Sequence, residues 1–252
     1  MTDDVVHLSV DDGIATITLD SPRNRNALSR QLVTELSGRL ADASGDEAAR
    51  AVVLTHTGTT FCAGADLTEA AEGGMAEGTG ALLRLLRTIV ALPKPVVARI
   101  EGNVRAGGLG LVGACDIAVA SESSAFAFTE ARLGLAPAII SLTVLPRLDA
   151  RAAGRYFLTG EKFGGTVAAQ IGLVTFSASN VDDALAEILT GLRAGSPQGL
   201  AESKKLVTAE VLDALDQQGQ AMAELSARLF ASEEAQEGMM SFLQRRAPRW
   251  AG

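Results

Sequence analysis

Two glycine-bearing segments constrain this chain more than any other feature. The first runs from Phe61 to Leu67 as Phe-Cys-Ala-Gly-Ala-Asp-Leu, and the second, Gly107–Gly110, is Gly-Gly-Leu-Gly. Each follows a short apolar stretch typical of a buried strand and precedes a pattern typical of a helix. N–H groups are unpaired at a helix start, and glycine lets a ligand approach the backbone closely. The segments predict a binding surface of main-chain N–H groups, with tight helix packing as the alternative reading of each glycine.

The second segment also matches a dinucleotide-binding pattern. Gly108, Gly110 and Gly113 have the spacing G-x-G-x-x-G, and an acidic residue follows at a suitable distance. That motif should follow its strand almost immediately. Here the predicted strand ends near Ile100, and residues 101–107 intervene. The spacing therefore argues against a nicotinamide site.

Composition and charge exclude several classes of protein. The 252 residues are 47% apolar, enough for one large domain, and the formal charge of −8 argues against nucleic acid as a partner. No stretch approaches the roughly 18 apolar residues of a membrane span, and the acidic start, Met1–Asp4, lacks the apolar run of a secretory signal. Cys62 and Cys115 are the only cysteines, without metal-type spacing. We expect a cytoplasmic protein with no nucleic acid, membrane or metal partner.

The order of predicted elements indicates an α/β fold with a helical second half. A hairpin turn is predicted at Asp11-Asp12-Gly13, leucines spaced four apart from Leu28 predict a helix, and residues 82–92 predict another. The glycine-rich, acidic residues 72–80 predict a loop, and from Ser141 the pattern is almost wholly helical. Strands are predicted at residues 5–10, 14–19, 51–55, 96–100, 117–120 and 126–128.

The motifs, taken along the chain, resemble those of the crotonase family, also called the enoyl-CoA hydratase/isomerase superfamily. Phe61–Leu67 is similar to its first signature, and Gly107–Asp116 to its second, with the terminal Cys-Asp. Asn24–Leu28 and Phe242–Trp250 resemble its early and C-terminal stretches, and Phe128–Ile140 is similar to the branch often labelled methylglutaconyl-CoA hydratase. The resemblance implies a crotonase-type spiral core of ββα units over residues 1–197. It implies a helical C-terminal extension over residues 198–252 that mediates trimerisation.

The same resemblance implies the chemistry of the site. The N–H groups of Ala65 and Gly107 would form an oxyanion hole for a thioester oxygen, and Glu130 would be the catalytic acid/base. Asp66 is also predicted to cap a helix, and Glu130 could instead be a surface carboxylate paired with Arg132. The implied substrate-binding residues are Ala63, Asp66, Leu67, Arg25, Gly108 and Pro137.

One position departs from the family pattern and leaves the reaction open. Family hydratases commonly carry a second glutamate three residues after the oxyanion glycine, where this chain has Gly110. The resemblance implies an enoyl-CoA hydratase, a lyase that adds water to a 2-enoyl-CoA. An isomerase that needs one glutamate and a non-catalytic acyl-CoA binder are the alternatives. A Gly110→Glu variant is expected to raise hydration if the pocket has room.

Partners and cofactors follow from the same resemblance. Coenzyme A would enter as part of the thioester substrate, and neither a metal nor a redox cofactor is needed. Because the chain is acidic, basic residues must gather near the CoA phosphates. The family pattern offers Arg23, Arg25, Arg245 and Arg246, each of which could equally be a solvated surface arginine. The expected assembly is a homotrimer or a dimer of trimers. Cys62 resembles a nucleophile by position, but a small buried thiol is the favoured interpretation.

Overall fold

The computed structural model describes residues 3–72 and 75–251 and contains two β-sheets wrapped by helices. The strands are, in chain order, β1 (Val6–Asp11), β2 (Ile14–Leu19), β3 (Ala51–His56), β4 (Thr60–Cys62), β5 (Val96–Ile100), β6 (Asn103–Arg105), β7 (Ile117–Ser121), β8 (Ala125–Ala127), β9 (Phe163–Gly164) and β10 (Phe176–Ala178). The six-stranded sheet has the order β1-β2-β3-β5-β7-β10, and the four-stranded sheet has the order β4-β6-β8-β9.

Helices fill the connections and form the whole C-terminal part. They are α1 (Arg30–Gly45), α2 (Leu67–Glu72), α3 (Met75–Ala91), α4 (Gly107–Ala114), α5 (Ala138–Val144), α6 (Ala150–Thr159), α7 (Gly165–Gln170), α8 (Val181–Ala194), α9 (Pro197–Phe230) and α10 (Glu233–Leu243). Short 3₁₀ helices lie at Pro22–Asn24 and Glu130–Leu133.

The chain winds as a spiral, because successive strands alternate between the two sheets. β3, β5 and β7 pair in parallel in the larger sheet, while β4, β6 and β8 pair in parallel in the smaller one. Each pair of strands is followed by helix: α2 and α3 after β4, α4 after β6, and α5 after β8 and its short 3₁₀ turn. The expected α/β fold of ββα units with a helical C-terminal part is confirmed.

The first hairpin shows why the longer strands were predictable. β1 and β2 pair antiparallel from Val6↔Leu19 to Asp11↔Ile14. The two turn residues, Asp12 and Gly13, both have positive φ, as a type I′ turn requires. The six predicted strands are confirmed to within about two residues at each end.

Two predictions about secondary structure are wrong in part. Residues 72–80 were predicted as a loop, but α2 extends to Glu72 and α3 begins at Met75, while residues 73 and 74 lie outside the described part of the chain. Glycine weakens a helix only by about 1 kcal/mol, and α3 packs against the long helix α9, which stabilises it. The region after Ser141, predicted to be almost wholly helical, also contains β9 and β10, which add to the edges of the two sheets.

A buried ion pair anchors the long helix α9 to the core. The Lys204 ammonium lies 2.8 Å from a carboxylate oxygen of Asp116, and both side chains are at least nine-tenths buried. The same ammonium donates hydrogen bonds to the carbonyl oxygens of Ile89 and Lys94. This contact joins α9 to the residue that follows α4 and its Cys115 cap. The division at residue 197 into core and trimerisation region stays a prediction.

Candidate active site

Three predicted site residues follow three adjacent parallel strands. Ala65 comes after β4, Gly107 after β6 and Glu130 after β8. In the smaller sheet β6 pairs with β4 on one side and with β8 on the other. The carboxyl ends of parallel strands meet at one edge of a sheet, which is where ligands bind in open α/β sheets. The topology therefore brings Ala65, Gly107 and Glu130 to the same edge.

The loop before α1 supports the first glycine segment through backbone hydrogen bonds. Ala63 N–H donates to the carbonyl oxygen of Arg25 at 3.1 Å, and Leu28 N–H donates to that of Gly64 at 2.8 Å. Gly64 has a φ of +89°, which side chains rarely allow. The left-handed turn at Gly64 thus places Ala65 immediately after a backbone segment that is hydrogen-bonded to the loop before α1.

The two glycine segments touch each other directly. A Cβ added to Gly64 would lie 2.8 Å from the Ala106 Cβ and 3.3 Å from the Gly107 nitrogen. Within the described residues, neither Ala65 N–H nor Gly107 N–H donates a hydrogen bond. Gly107 is also the first residue of α4, so the positive end of the helix dipole lies at its N–H. Two unpaired donors at such a position suit a ligand atom that carries negative charge.

Glu130 is a buried carboxyl group without a partner for one of its oxygens. The residue is 8% exposed, and its Oε2 atom is buried with no hydrogen bond. Burial raises the pKa of Glu130 to about 7, against which its own backbone hydrogen bond acts weakly. The alternative of a surface carboxylate paired with Arg132 is wrong, because Arg132 is exposed and donates to the carbonyl oxygen of Thr159. Such a carboxyl group can exchange a proton near neutral pH.

The space beside Gly110 is filled by apolar side chains. A Cβ at this position would lie 2.5 Å from Ile140 Cγ2 and 3.3 Å from Leu86 Cδ1. Both neighbours are fully buried, so neither can move aside without disturbing the core. Position 110 lies one turn after Gly107 on the same face of α4. The condition attached to Gly110→Glu, that the pocket has room, is not met.

The predicted substrate-binding residues lie around these elements. The Asp66 carboxylate accepts from the N–H groups of Thr68 and Glu69, so its predicted helix-capping role is confirmed. Gly108 is buried, and an added Cβ would lie 2.7 Å from the carbonyl oxygen of Cys62. Ala63 and Leu67 are half-buried beside Asp66, and Pro137 is the half-buried cap of α5. Contact of these residues with a substrate stays a prediction.

The four candidate arginines differ in their surroundings. Arg23 and Arg25 are exposed on the loop that holds Ala63. Arg246 forms a two-pronged ion pair with Glu237, at 2.7 and 2.8 Å, while Arg245 is exposed at the end of α10. The charge of Arg246 is thus already balanced within its own chain. Binding of CoA phosphates by any of the four stays a prediction.

Cys62 is a core thiol and not a nucleophile. It is fully buried, and burial raises its pKa to about 12, so it holds its proton at neutral pH. A cavity of about 110 Å³ lies at the far end of α4, lined in part by Cys115, Asp116 and Arg147, and apart from Glu130. Within residues 3–72 and 75–251, no three His, Cys, Asp or Glu side chains converge as a metal site would need. The expectation that no cofactor is needed stays a prediction.

The structure adds three residues that no sequence pattern singles out. Ile140 and Leu86 fill the space beside Gly110, and Ala106 lies between the two glycine segments. Ile140 and Leu86 belong to ordinary apolar helix patterns, which look the same in a core and in a site wall. Ala106 is marked only by its positive φ, which the sequence does not show.

Comparison with known proteins gives consistent matches along almost the whole chain. The family model described as enoyl-CoA hydratase/isomerase matches residues 9–252. A relative from Rhodobacter capsulatus, described as "Probable enoyl-CoA hydratase", is 34% identical and is covered over 98% of both chains. The crystal structure of an enoyl-CoA hydratase from Mycobacterium avium is 53% identical, with a TM-score of 0.93 over 99% of this chain and 100% of that one. Among the described helices, none combines the length and apolar character needed to cross a membrane.

Proposed function

Because the chain belongs to the enoyl-CoA hydratase/isomerase family, we propose that it is an enoyl-CoA hydratase, a lyase that adds water to a 2-enoyl-CoA. The observation that carries the proposal is the buried carboxyl group of Glu130, with one unpartnered oxygen and a pKa raised to about 7 by burial. A group with such a pKa has both its protonated and its ionised form available at neutral pH. Proton transfer next to a thioester requires both forms in turn.

The first step of the proposed mechanism is polarisation of the thioester. The N–H groups of Ala65 and Gly107 donate to the carbonyl oxygen, which draws electrons from the conjugated double bond and makes Cβ electrophilic. Two unpaired donors, one of them at a helix N-terminus, support this role. As negative charge grows on the oxygen, both hydrogen bonds strengthen. Loss of one such donor costs roughly 2.7–4 kcal/mol of transition-state stabilisation in a comparable enzyme.

The second step is proton transfer by Glu130. The ionised carboxylate takes a proton from a water molecule while the water oxygen bonds to Cβ, and the enolate forms at the thioester. The carboxyl group then gives this proton to Cα, and the carboxylate is restored. Both new bonds form on the face of the double bond that Glu130 meets, so the addition is syn. The proposed addition of water to the double bond is complete in these two steps and uses no metal or redox cofactor.

Binding of coenzyme A is proposed to use the loop before α1. Arg23 and Arg25 are exposed there, and the Arg25 carbonyl oxygen accepts from Ala63 N–H at the start of the first glycine segment. Ala63, Leu67, Gly108 and Pro137 would complete the acyl and pantetheine contacts, with Asp66 fixing the start of α2. We expect Arg23→Ala and Arg25→Ala to raise KM more than they lower kcat.

A trimeric assembly is proposed from the apolar C-terminal surface. Phe242 and Leu243 at the end of α10 are each 51% exposed, and Trp250 in the tail is 45% exposed. These three large apolar side chains lie within nine residues of one another in sequence, and exposed apolar surface of this kind favours a protein interface when it is contiguous. Light scattering of the purified protein should give three or six times the mass of one chain. A monomer at micromolar concentration would contradict this.

An enoyl-CoA isomerase is the second candidate, and the packing over Gly110 favours it. Ile140 and Leu86 occupy the space in which a second carboxylate could hold water. An isomerase needs only one base, which takes a proton from Cα of a 3-enoyl-CoA and returns it to Cγ. Glu130 alone suffices for that exchange.

The two reactions are separated by supplying both substrates. Loss of the 2-enoyl absorbance of crotonyl-CoA indicates hydration, and appearance of that absorbance from a 3-enoyl-CoA indicates isomerisation. Either reaction needs the Glu130 carboxylate, so kcat/KM should rise with pH to a plateau with an apparent pKa near 7. Glu130→Gln should abolish turnover while acyl-CoA affinity stays within about threefold, which is below 1 kcal/mol. Binding of both substrates without turnover of either would indicate an acyl-CoA-binding protein.

A pair of variants tests whether the packing over Gly110 decides between the reactions. Gly110→Glu alone should not raise hydration, because the added side chain collides with Ile140. Combined with Ile140→Ala, the glutamate gains space, and hydration should rise above that of the Ile140→Ala variant. Equal hydration in the Ile140→Ala variant and the double variant would show that the packing of Ile140 over position 110 does not limit the reaction.

A further inference from the structure

Ala106, the residue before the second glycine segment, has a backbone conformation that alanine rarely adopts. Its φ is 45° and its ψ is −122°, the region of the first central residue of a type II′ turn, where glycine is favoured. The other non-glycine residues with positive φ in the described chain are Asp12, Arg25, Asn26 and Arg245, which are all polar. Strained conformations persist where the surroundings fix them, and they cluster at functional sites.

Hydrogen bonds on both sides of Ala106 hold this conformation. Ala106 N–H donates to the carbonyl oxygen of Ala127 in β8 at 3.2 Å, and Leu109 N–H donates to the Ala106 carbonyl oxygen at 2.9 Å. In a trans peptide unit the C=O and N–H bonds point in opposite directions. Because the Ala106 carbonyl points into α4, the Gly107 N–H of the same unit points away from the helix. The strained ψ of Ala106 therefore sets the direction of this donor.

The preceding residue, Arg105, fixes the strand from which the turn starts. Its half-buried guanidinium donates to the carbonyl oxygen of Val104 at 2.8 Å, to that of Ala125, and to the Asn103 side chain at 2.9 Å. The bond to Ala125, together with the pairing of Arg105 with Ala127, ties the end of β6 to β8. Ala106 thus cannot relax by rotation of the strand, and the strain stays at its own φ and ψ.

The methyl group of Ala106 also sets the spacing of the two segments. A Cβ on Gly64 would lie 2.8 Å from the Ala106 Cβ, so the methyl group packs directly against the Gly64 backbone. Gly64 precedes Ala65, and Ala106 precedes Gly107. One alanine therefore contacts the backbone next to one N–H donor and orients the other.

We propose that Ala106 is a positioning residue that sets the separation and direction of the Ala65 and Gly107 N–H groups. The inference rests on the proposed binding of a thioester oxygen by these groups. Glycine at position 106 would adopt the same φ and ψ without strain, but it would remove the methyl spacer and free the turn to move. The expected consequence is a protein of equal or greater stability whose two donors are poorly aligned.

Ala106→Gly tests this through the carbonyl group of bound substrate. Isotope-edited infrared spectra of crotonyl-CoA, labelled with ¹³C at the carbonyl, are recorded in a Glu130→Gln background so that the thioester persists. With Ala106 present, the carbonyl band should shift to lower wavenumber than in free substrate. In Ala106→Gly the band should lie nearer the free value and be broader. Without the Glu130 change, kcat should fall about tenfold or more, since small misplacements of catalytic groups are costly, and KM should change less.

A matched control and a failure criterion separate this proposal from the proposed function. Asp12→Gly relieves a positive φ in the β1–β2 turn and should leave kcat and the carbonyl band unchanged. An Ala106→Gly variant with the parental band and kcat, or with a melting temperature several degrees lower, would overturn the proposal. Absence of any carbonyl shift when Ala106 is present would instead refute the thioester-binding role of Ala65 and Gly107.

Discussion

The buried carboxyl group of Glu130 should make the stability of the protein depend on pH in a way that one variant removes. Burial raises its pKa from an ordinary 4.5 to about 7. Between these values the folded protein keeps a proton that the unfolded chain releases. The contribution of Glu130 to the free energy of unfolding therefore falls as pH rises from about 4.5 to about 7 and is constant above that range. At about 1.4 kcal/mol per pH unit, the full loss is about 3 kcal/mol.

Glu130→Gln isolates this effect because glutamine does not titrate. The buried amide has its own hydrogen-bonding cost, but that cost is the same at every pH and cancels in the comparison. The free energy of unfolding of the variant minus that of the parent should therefore be about 3 kcal/mol larger at pH 8 than at pH 4.5. Urea unfolding followed by circular dichroism at pH 4.5, 6 and 8 measures both proteins. Glu187→Gln, at an exposed position on α8, serves as the control and should follow the parent curve.

The result that would refute this reasoning is specific. If the stability difference between Glu130→Gln and the parent is the same at pH 4.5 and pH 8, the carboxyl group does not titrate near neutrality. The pKa of Glu130 would then be the same in the folded and unfolded states, and the observation that carries the proposed function would be lost. If the stability of the variant relative to the parent instead increases as the pH is lowered, the folded state stabilises the carboxylate, and the pKa shift has the opposite sign.

Three further predictions concern packing and buried polar groups. Gly110→Ala should lower stability by about 1–3 kcal/mol, because the added methyl group collides with the buried side chain of Ile140. Gly154→Ala, with open space around it, should instead raise stability by about 0.5–1 kcal/mol. Thermal unfolding compares the two variants, and equal effects on stability would contradict the packing at Gly110. Lys204→Met should cost about 3–5 kcal/mol by leaving the buried Asp116 carboxylate uncompensated, whereas Lys205→Met, at an exposed pair, should cost less than about 1 kcal/mol. Both thiols, whose pKa burial raises to about 12, should react with Ellman's reagent only after unfolding; fast labelling of the native protein would show that one is accessible.

The sequence predicted those elements whose own pattern is long enough to read. The β1–β2 hairpin and β3, β5 and β7 are runs of five or six residues with apolar or alternating character. β4 and β6 have three residues each, and β9 has two. So short a segment carries no usable period, and its strand character comes from pairing with neighbours along the spiral. Two of the three strands that place the site at one sheet edge, β4 and β6, were therefore not predicted from the sequence, whereas β8 was.

The candidate site likewise has features that the sequence predicts and features that it does not. The glycine segments and Glu130 were selected from their motifs, and the structure brings Ala65, Gly107 and Glu130 to one edge of the smaller sheet. Their physical state was not predictable. The burial of Glu130 depends on side chains distant in sequence, as does the contact of Ile140 with position 110. Long-range packing decides both, and no local pattern records it.

A single carboxyl group with a pKa near 7 and an apolar wall beside Gly110 form a consistent arrangement. Sites with two carboxyl groups divide the acid and base roles by holding the two pKa values apart. In this protein Ile140 and Leu86 leave no space for a carboxylate at position 110, so under the proposed function one group would perform both roles. Burial brings the pKa of Glu130 to the value at which a carboxyl group accepts and donates a proton with nearly equal ease. Such a group suits reactions that take a proton from one atom and return it to another, since the carboxylate is restored in each turnover. Hydration and double-bond migration both meet this condition.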